Sequence, residues 1–354
     1  MSQSDNFGEY KKLGEPDKLR KVENWRVGIG LQQIDGLTPS KQLIELAKDN
    51  IEGKISIDEA TERIAQYYKK NPAQTPIERG EQEADEVSSR ITRLLSSNTF
   101  ALSPAELVSI HKYLFNGVLS DEIAGKIRDY DISKDEPILN GYTVSYGRAD
   151  SIQETLDYDF SREKEFSFKG LTQQEKVEHI MMFMSGVWQI HPFAEGNTRT
   201  IAVFVIKYLR TLGFKANNEL FDENSVYFRN ALVRANYNNL EKGVYENTEY
   251  LRMFFGNLLL GEKNRLRNGD MQIDSETTQK TTQKTTQKVL DVLVNNPSAT
   301  RKEMAEIIGL TEDGVKWNLN KLREEGKIRR IGPDNGGHWE VVEAGGAFLP
   351  TPYG

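Results

Sequence analysis

Apolar residues recur at helical spacing along most of the chain, and in two stretches they cover the whole circumference of a helix. Ala84, Val87, Ile91 and Leu94–Leu95 repeat every three or four positions and predict an amphipathic helix over 83–95. A second such run opens at Ile57-Asp58-Glu59-Ala60 and continues to Tyr68. Over 177–188 the residues Ile180, Met181, Phe183, Met184, Val187 and Trp188 leave no polar face, and 201–212 has the same character. Helices of that kind sit at the centre of a bundle. The period breaks at 137–146, where Asn140-Gly141 between β-favouring residues predicts a hairpin.

A threefold Thr-Thr-Gln-Lys repeat at 277–288 interrupts the apolar pattern. It is expected to be a linker that runs into a helix at Lys288-Val289, with the polar start of a helix as the alternative. Beyond it come a helix, Pro297, a helix over 301–308, a Gly309-Leu310-Thr311 turn, a helix over 312–325 and two short strands over 327–331 and 338–342. Thr300 and Thr311 stand where helix N-caps are wanted. That order resembles a winged helix-turn-helix.

At 354 residues the chain can hold two or three domains. Its 46 basic and 53 acidic side chains give a net charge of −7, so any binding to nucleic acid or anionic membrane must be local. The absence of cysteine excludes a disulfide framework and thiolate chemistry, and suits a reducing compartment. No apolar stretch is long enough to span a bilayer, and the polar start of the chain lacks a signal-like core. The expectation is a mainly α, soluble, cytoplasmic protein without a membrane partner.

Candidate chemistry concentrates between the two apolar helices, in His191-Pro192-Phe193-Ala194-Glu195-Gly196-Asn197-Thr198-Arg199. A histidine at a helix end is by itself more often packing, but an imidazole with an ordinary pKa near 6.5 can accept a proton at neutral pH. Gly196-Asn197 opens a helix whose free N–H groups and dipole attract an anion. Arg199 lies in the first turn, where a cation is disfavoured unless an anion compensates it, and a guanidinium grips phosphate oxygens in pairs. Glu195 makes sense beside such an anion if Mg²⁺ lies between them. Together these parts suit transfer of a phosphate-linked group to a hydroxyl.

The nine residues resemble the signature of the Fic family, His-Pro-Phe-x-(Asp/Glu)-Gly-Asn-(Gly/Lys)-Arg, at every position but Thr198. The resemblance covers about residues 80–262. It implies a Fic-type helical bundle with a short β-hairpin flap, and transfer of AMP from ATP to a Ser, Thr or Tyr hydroxyl of a target protein. By position, His191 would take the hydroxyl proton and Glu195 would hold Mg²⁺. Gly196, Asn197, Thr198 and Arg199 would line the phosphates, and Phe193 would anchor the loop. Tyr227 and Asn230 would face the adenine, with core packing the equal alternative for Tyr227. Ile138, Leu139, Tyr142 and Val144 of the flap would dock a target segment by strand addition. Two departures bear on the outcome. Thr198 replaces the small residue that lets the backbone approach the β-phosphate, and relatives with Lys there are associated with phosphate transfer. The second arginine, which normally meets the γ-phosphate and an inhibitory glutamate, is Ala202. Phosphate transfer and removal of AMP therefore stay open beside AMP transfer.

Residues 28–39 and 52–60 resemble the small antitoxins that pair with Fic toxins. Aligned on Gly36, their motif (Ser/Thr)-x-x-x-Glu-(Gly/Asn) places Leu31 and Asp35 in the hydroxyl and glutamate positions. Asp35 is the candidate inhibitory residue, with a clamp expected to be weak because Asp is short, Leu31 cannot hydrogen-bond and Ala202 offers no guanidinium. In the C-terminal module Lys316, Lys321 and Arg323 on the second helix and Arg329 and Arg330 on the wing are candidate DNA contacts. Residues 289–342 carry eight basic against nine acidic side chains, so protein interaction or homodimerisation suits the module as well. A DNA-binding regulator with a nucleotide-sensing or inert Fic domain is the reading from another class. The expected organisation is an antitoxin-like segment (1–75), a catalytic domain (76–265), a linker (266–288) and a winged helix (289–345).

Overall fold

A computed structural model describes residues 6–7, 10, 15–214, 219–273, 277–308, 312–324, 326–332 and 337–342. The expected turn at 309–311, with Thr311 as its cap, lies outside them. Two compact units form: residues 1–238 with 245–272, and residues 239–244 with 273–354.

The first unit is helical. Its elements are α1 (Pro16–Gly30) with a 3₁₀ turn (Leu31–Asp35), α2 (Lys41–Ile51), α3 (Ile57–Lys70), α4 (Pro76–Ser96), α5 (Pro104–Phe115), α6 (Ile152–Glu165), α7 (Gln173–Ile190), α8 (Asn197–Thr211), α9 (Glu219–Ala235) and α10 (Glu249–Phe255). Start signals are local: Thr75 with Glu78 and Thr172 with Glu175 form capping boxes, and Ser40, Ser56 and Ser103 cap α2, α3 and α5. α8 is buried from Asn197 to Leu209, as its all-round apolar pattern requires.

The N-terminal helices pack on one another through Val22, Trp25, Leu43, Ala47, Ile51, Ala60 and Ile64. Two glycines let α1 lie close to its neighbours. A Cβ on Gly28 would overlap the Ser88 carbonyl of α4, and one on Gly30 would overlap the backbone of Asp222 in α9. Ser88 and Ser225 hydroxyls donate to the Gly28 and Gly30 carbonyls at 3.0 and 2.8 Å. This close approach carries the Leu31–Asp35 turn to the start of α8.

The reversal expected at Asn140-Gly141 is present, without a strand ladder around it. Both residues have positive φ (54° and 85°), and the Tyr142 amide donates to Leu139 at 3.2 Å, as in a type I′ turn. Pro137–Leu139, however, is a 3₁₀ turn. Proline at its start fixes φ and removes a ladder donor. Ile138, Leu139 and Val144 are buried, and of the four candidate docking residues Tyr142 alone is exposed.

In the second unit, α11 (Thr277–Asn295), α12 (Arg301–Ile308) and α13 (Glu312–Glu324) precede β1 (Ile328–Ile331) and β2 (His338–Val341). The strands are antiparallel, with Arg329 opposite Glu340. The Thr-Thr-Gln-Lys repeat is the first part of α11 rather than a linker, since it contains no Gly or Pro to stop a helix. Val289, Leu293, Met304, Val315, Leu319, Leu322 and Ile328 form the core. Lys316, Asn320 and Arg323 are exposed on α13. Lys321 lies over the Trp317 ring and Arg330 over Trp339, while Arg329 pairs with Glu340. Among the described residues no helix is long and apolar enough to cross a membrane.

Candidate active site

α7 ends at Ile190, and His191 takes the left-handed conformation (φ 52°), turning the chain out of the helix. Its Nδ1 lies 3.2 Å from the Trp188 carbonyl. A carbonyl can only accept, so Nδ1 carries the proton and Nε2 keeps a lone pair. The ring is buried, with Tyr146 4.2 Å away and Trp188 edge-on. Burial first, and then the charges of Lys134, Arg128 and Arg229, hold its pKa well below 6.5. The imidazole is therefore neutral at neutral pH.

Arg128, from the loop after α5, holds this turn. Its Nε donates to the His191 carbonyl at 2.8 Å and its Nη1 to Tyr130 at 2.7 Å. Nη2 reaches the carbonyls of Ile190 and Gly147. The Arg128 amide also donates to Pro192 at 2.9 Å. A second neutral histidine supports the next turn. His111 accepts from the Gly125 amide at 2.8 Å, donates to the Glu195 carbonyl at 3.0 Å and stacks on Phe193. Burial lowers its pKa to about 4.

Gly196 precedes α8 with φ 73°, and a Cβ there would overlap the Phe115 ring, so only glycine fits. Asn197 does not cap the helix. Its side chain accepts from the Phe193 amide at 3.0 Å and donates to the Phe193 carbonyl at 2.7 Å. No side chain caps the helix start. The amides of the first turn, which have no intrahelical acceptors, stay open to an anion. Thr198 turns its hydroxyl inward to accept from the Trp188 indole at 3.0 Å.

Arg199 differs most from its expected state. Only 5% of its side chain is exposed, and Asp35 Oδ2 lies 2.9 Å from its Nε. Nη1 donates to Gln32 at 2.9 Å and Nη2 to Glu83 at 2.7 Å. Its guanidinium also covers the Phe115 ring. Asp35 thus has a guanidinium partner after all, one helical turn before Ala202. The glycine-packed α1 delivers the short carboxylate to that turn.

One cavity joins these groups. It is lined by Ile34, Asp35, Lys134, Glu136, Trp188, His191, Arg229 and residues 195–199. Four ion pairs occupy or border it: Lys134 with Glu195 at 3.4 Å, Arg229 with Glu136 at 2.7 Å, and Arg199 with both Asp35 and Glu83. Free space is about 50 Å³, enough for a few waters. Tyr227 and Asn230 do not line it. The Tyr227 hydroxyl donates to the Tyr250 carbonyl at 3.2 Å, and Asn230 bonds Asn268 at 2.9 Å. Lys134 and Glu136 carried no motif that would have marked them in the sequence, and Arg229 stood between Tyr227 and Asn230 in the stretch that resembles the family's later helix without a role assigned to it.

Glu195 is the carboxylate that would hold Mg²⁺, and in this structure it faces the Lys134 ammonium at 3.4 Å. Its side chain is 60% exposed and lines the cavity. Among the described residues no group of three His, Asp or Glu could hold a metal, so phosphate oxygens and water would supply the other ligands.

Residues 101–209 match the family described as Fic/DOC family, and residues 282–329 match Winged helix-turn-helix DNA-binding. A protein adenylyltransferase, VbhT of Bartonella schoenbuchensis, is 34% identical over 105 residues, which are 30% of this chain and 20% of that protein. The chain thus spans about a fifth of that relative's length. Among solved structures, a Fic family protein from Desulfovibrio desulfuricans G20 has a TM-score of 0.43 at 14% identity, covering 97% of this chain and 94% of its own. BepC from Bartonella tribocorum with bound AMPPNP has a TM-score of 0.41 at 19% identity, covering 55% and 92%. Neither superposition is close.

Proposed function

From a chain that carries a Fic/DOC family domain and a winged helix-turn-helix, we propose transfer of AMP from ATP to a Ser, Thr or Tyr hydroxyl of a protein. The observation that carries this reading is a neutral His191 whose Nε2 lone pair shares a cavity with the uncapped start of α8. Nε2 takes the proton of the target hydroxyl, the hydroxyl oxygen attacks the α-phosphorus, and pyrophosphate leaves. The first-turn amides of α8 hold phosphate oxygens as charge develops on them. Arg128 keeps His191 in its left-handed turn, and His111 fixes the carbonyl of Glu195. Mg²⁺ held by Glu195 would neutralise phosphate charge. The cavity must open for the nucleotide, so its ion pairs have to part.

Mass spectrometry of proteins modified by the full chain with ATP tests this. An AMP adduct on a hydroxyl side chain is the expected product. A phosphate adduct would instead assign kinase chemistry. Thr198 is compatible with the expected product, because its hydroxyl is turned to Trp188 rather than toward the nucleotide space.

For the winged helix, the exposed Lys316, Asn320 and Arg323 on α13 favour binding to duplex DNA. The other candidate cations are engaged by Trp317, Trp339 and Glu340.

A further inference from the structure

We propose that Arg229 receives the outer phosphates of the nucleotide, in place of the guanidinium this chain lacks at position 202. The inference rests on the nucleotide site of the preceding reading and adds the residue that recognises the triphosphate.

Three cations line the cavity: Lys134, Arg199 and Arg229. Arg199 is poorly available. Both of its terminal nitrogens donate to side chains, and Asp35 lies 2.9 Å from Nε without a hydrogen bond to it. A phosphate would have to displace Asp35, Gln32 and Glu83 together. Lys134 is a single ammonium and sits against Glu195. Arg229 differs from both. Its one charged partner among the described residues is Glu136, 2.7 Å away, and that Oε2 has no hydrogen bond despite being buried. Among the described residues, one terminal nitrogen of Arg229 faces a carboxylate, which leaves the rest of its N–H donors to turn to a phosphate. Its side chain is 23% exposed, against 5% for Arg199.

Arg229 is also in the right place. Its field reaches His191, and it shares the cavity with the open amides of α8. Ala202 is fully buried and contributes nothing there. Glu136 is the counterion while the site is empty. When a phosphate arrives, Arg229 exchanges one anion for another, and Glu136 keeps the Tyr146 hydroxyl at 3.0 Å. A bidentate guanidinium–phosphate contact suits that exchange better than a lone ammonium.

Calorimetric titration of the full chain with ATP and with AMP, in Mg²⁺, tests the assignment. Wild type is expected to bind ATP more tightly than AMP. Arg229→Met is expected to weaken ATP by about tenfold or more, the worth of a charge-assisted contact, while AMP changes less than about twofold. Arg229→Lys should recover part of the loss. Since Arg229→Met strands the buried Glu136, the double variant Arg229→Met/Glu136→Gln repeats the measurement without that carboxylate. An unchanged ATP-to-AMP ratio in both variants overturns the inference and leaves the nucleotide site standing. Failure of the wild type to bind either nucleotide overturns both.

Discussion

At the scale of single residues, two buried histidines make the stability depend on pH. His111 and His191 are buried and neutral in the folded chain, and both regain an ordinary pKa near 6.5 on unfolding. Below that pH the unfolded state binds more protons, so stability falls as pH falls, by about 1.4 kcal/mol per pH unit for each group. Denaturant midpoints should therefore drop between pH 6.5 and 5.5, and His111→Gln should flatten the slope; a pH-independent midpoint would contradict the neutral assignment. Thr198 gives a second prediction. Thr198→Val keeps the shape but removes the acceptor of the Trp188 indole, and should cost about 1–3 kcal/mol in urea unfolding, whereas Thr198→Ser should cost less than about 1 kcal/mol. The sequence marked His191, Glu195 and Gly196 because nine contiguous residues carry the pattern. Arg128 and Glu136 come from the connection between α5 and α6 and Arg229 from α9, and only the fold brings them to His191. Tyr227 shows the reverse: an aromatic at helical spacing serves the core, where its hydroxyl finds Tyr250.

At the scale of elements, the cap at Thr300 was legible because it is local chemistry, three residues before Glu303. Thr75 and Thr172 cap in the same way, but the apolar period begins only at 83 and 177, so it missed the polar first turns that start at Pro76 and Gln173. The flap was legible only in its turn. Asn140-Gly141 dictates the reversal, while proline and burial of Leu139 decide that the flank is a 3₁₀ turn. The repeat at 277–288 misled in the other direction, since a polar tract without Gly or Pro can continue a helix. The N-terminal turn holds Asp35 against Arg199, but Gln32 and Glu83 hold the same guanidinium. Asp35→Ala should therefore raise AMP incorporation by less than about tenfold, because one exposed partner of a shared ion pair is worth little. A gain of several orders of magnitude would mean that Asp35 alone closes the site.

The whole molecule has a helical unit that holds the candidate site and a second unit in which α13 exposes Lys316, Asn320 and Arg323. If that helix meets DNA, Lys316→Ala/Arg323→Ala should abolish a salt-sensitive mobility shift and leave AMP incorporation unchanged; a persisting shift would move the contact elsewhere. For the first unit, nucleotide labelled at one phosphate decides between the transfers. The full chain is incubated in cell lysate with ATP labelled at the α- or the γ-phosphate, beside His191→Ala. Protein labelled from the α-position alone, and not by the variant, is the predicted result. Label from the γ-position, or α-label that survives His191→Ala, would contradict AMP transfer by this histidine.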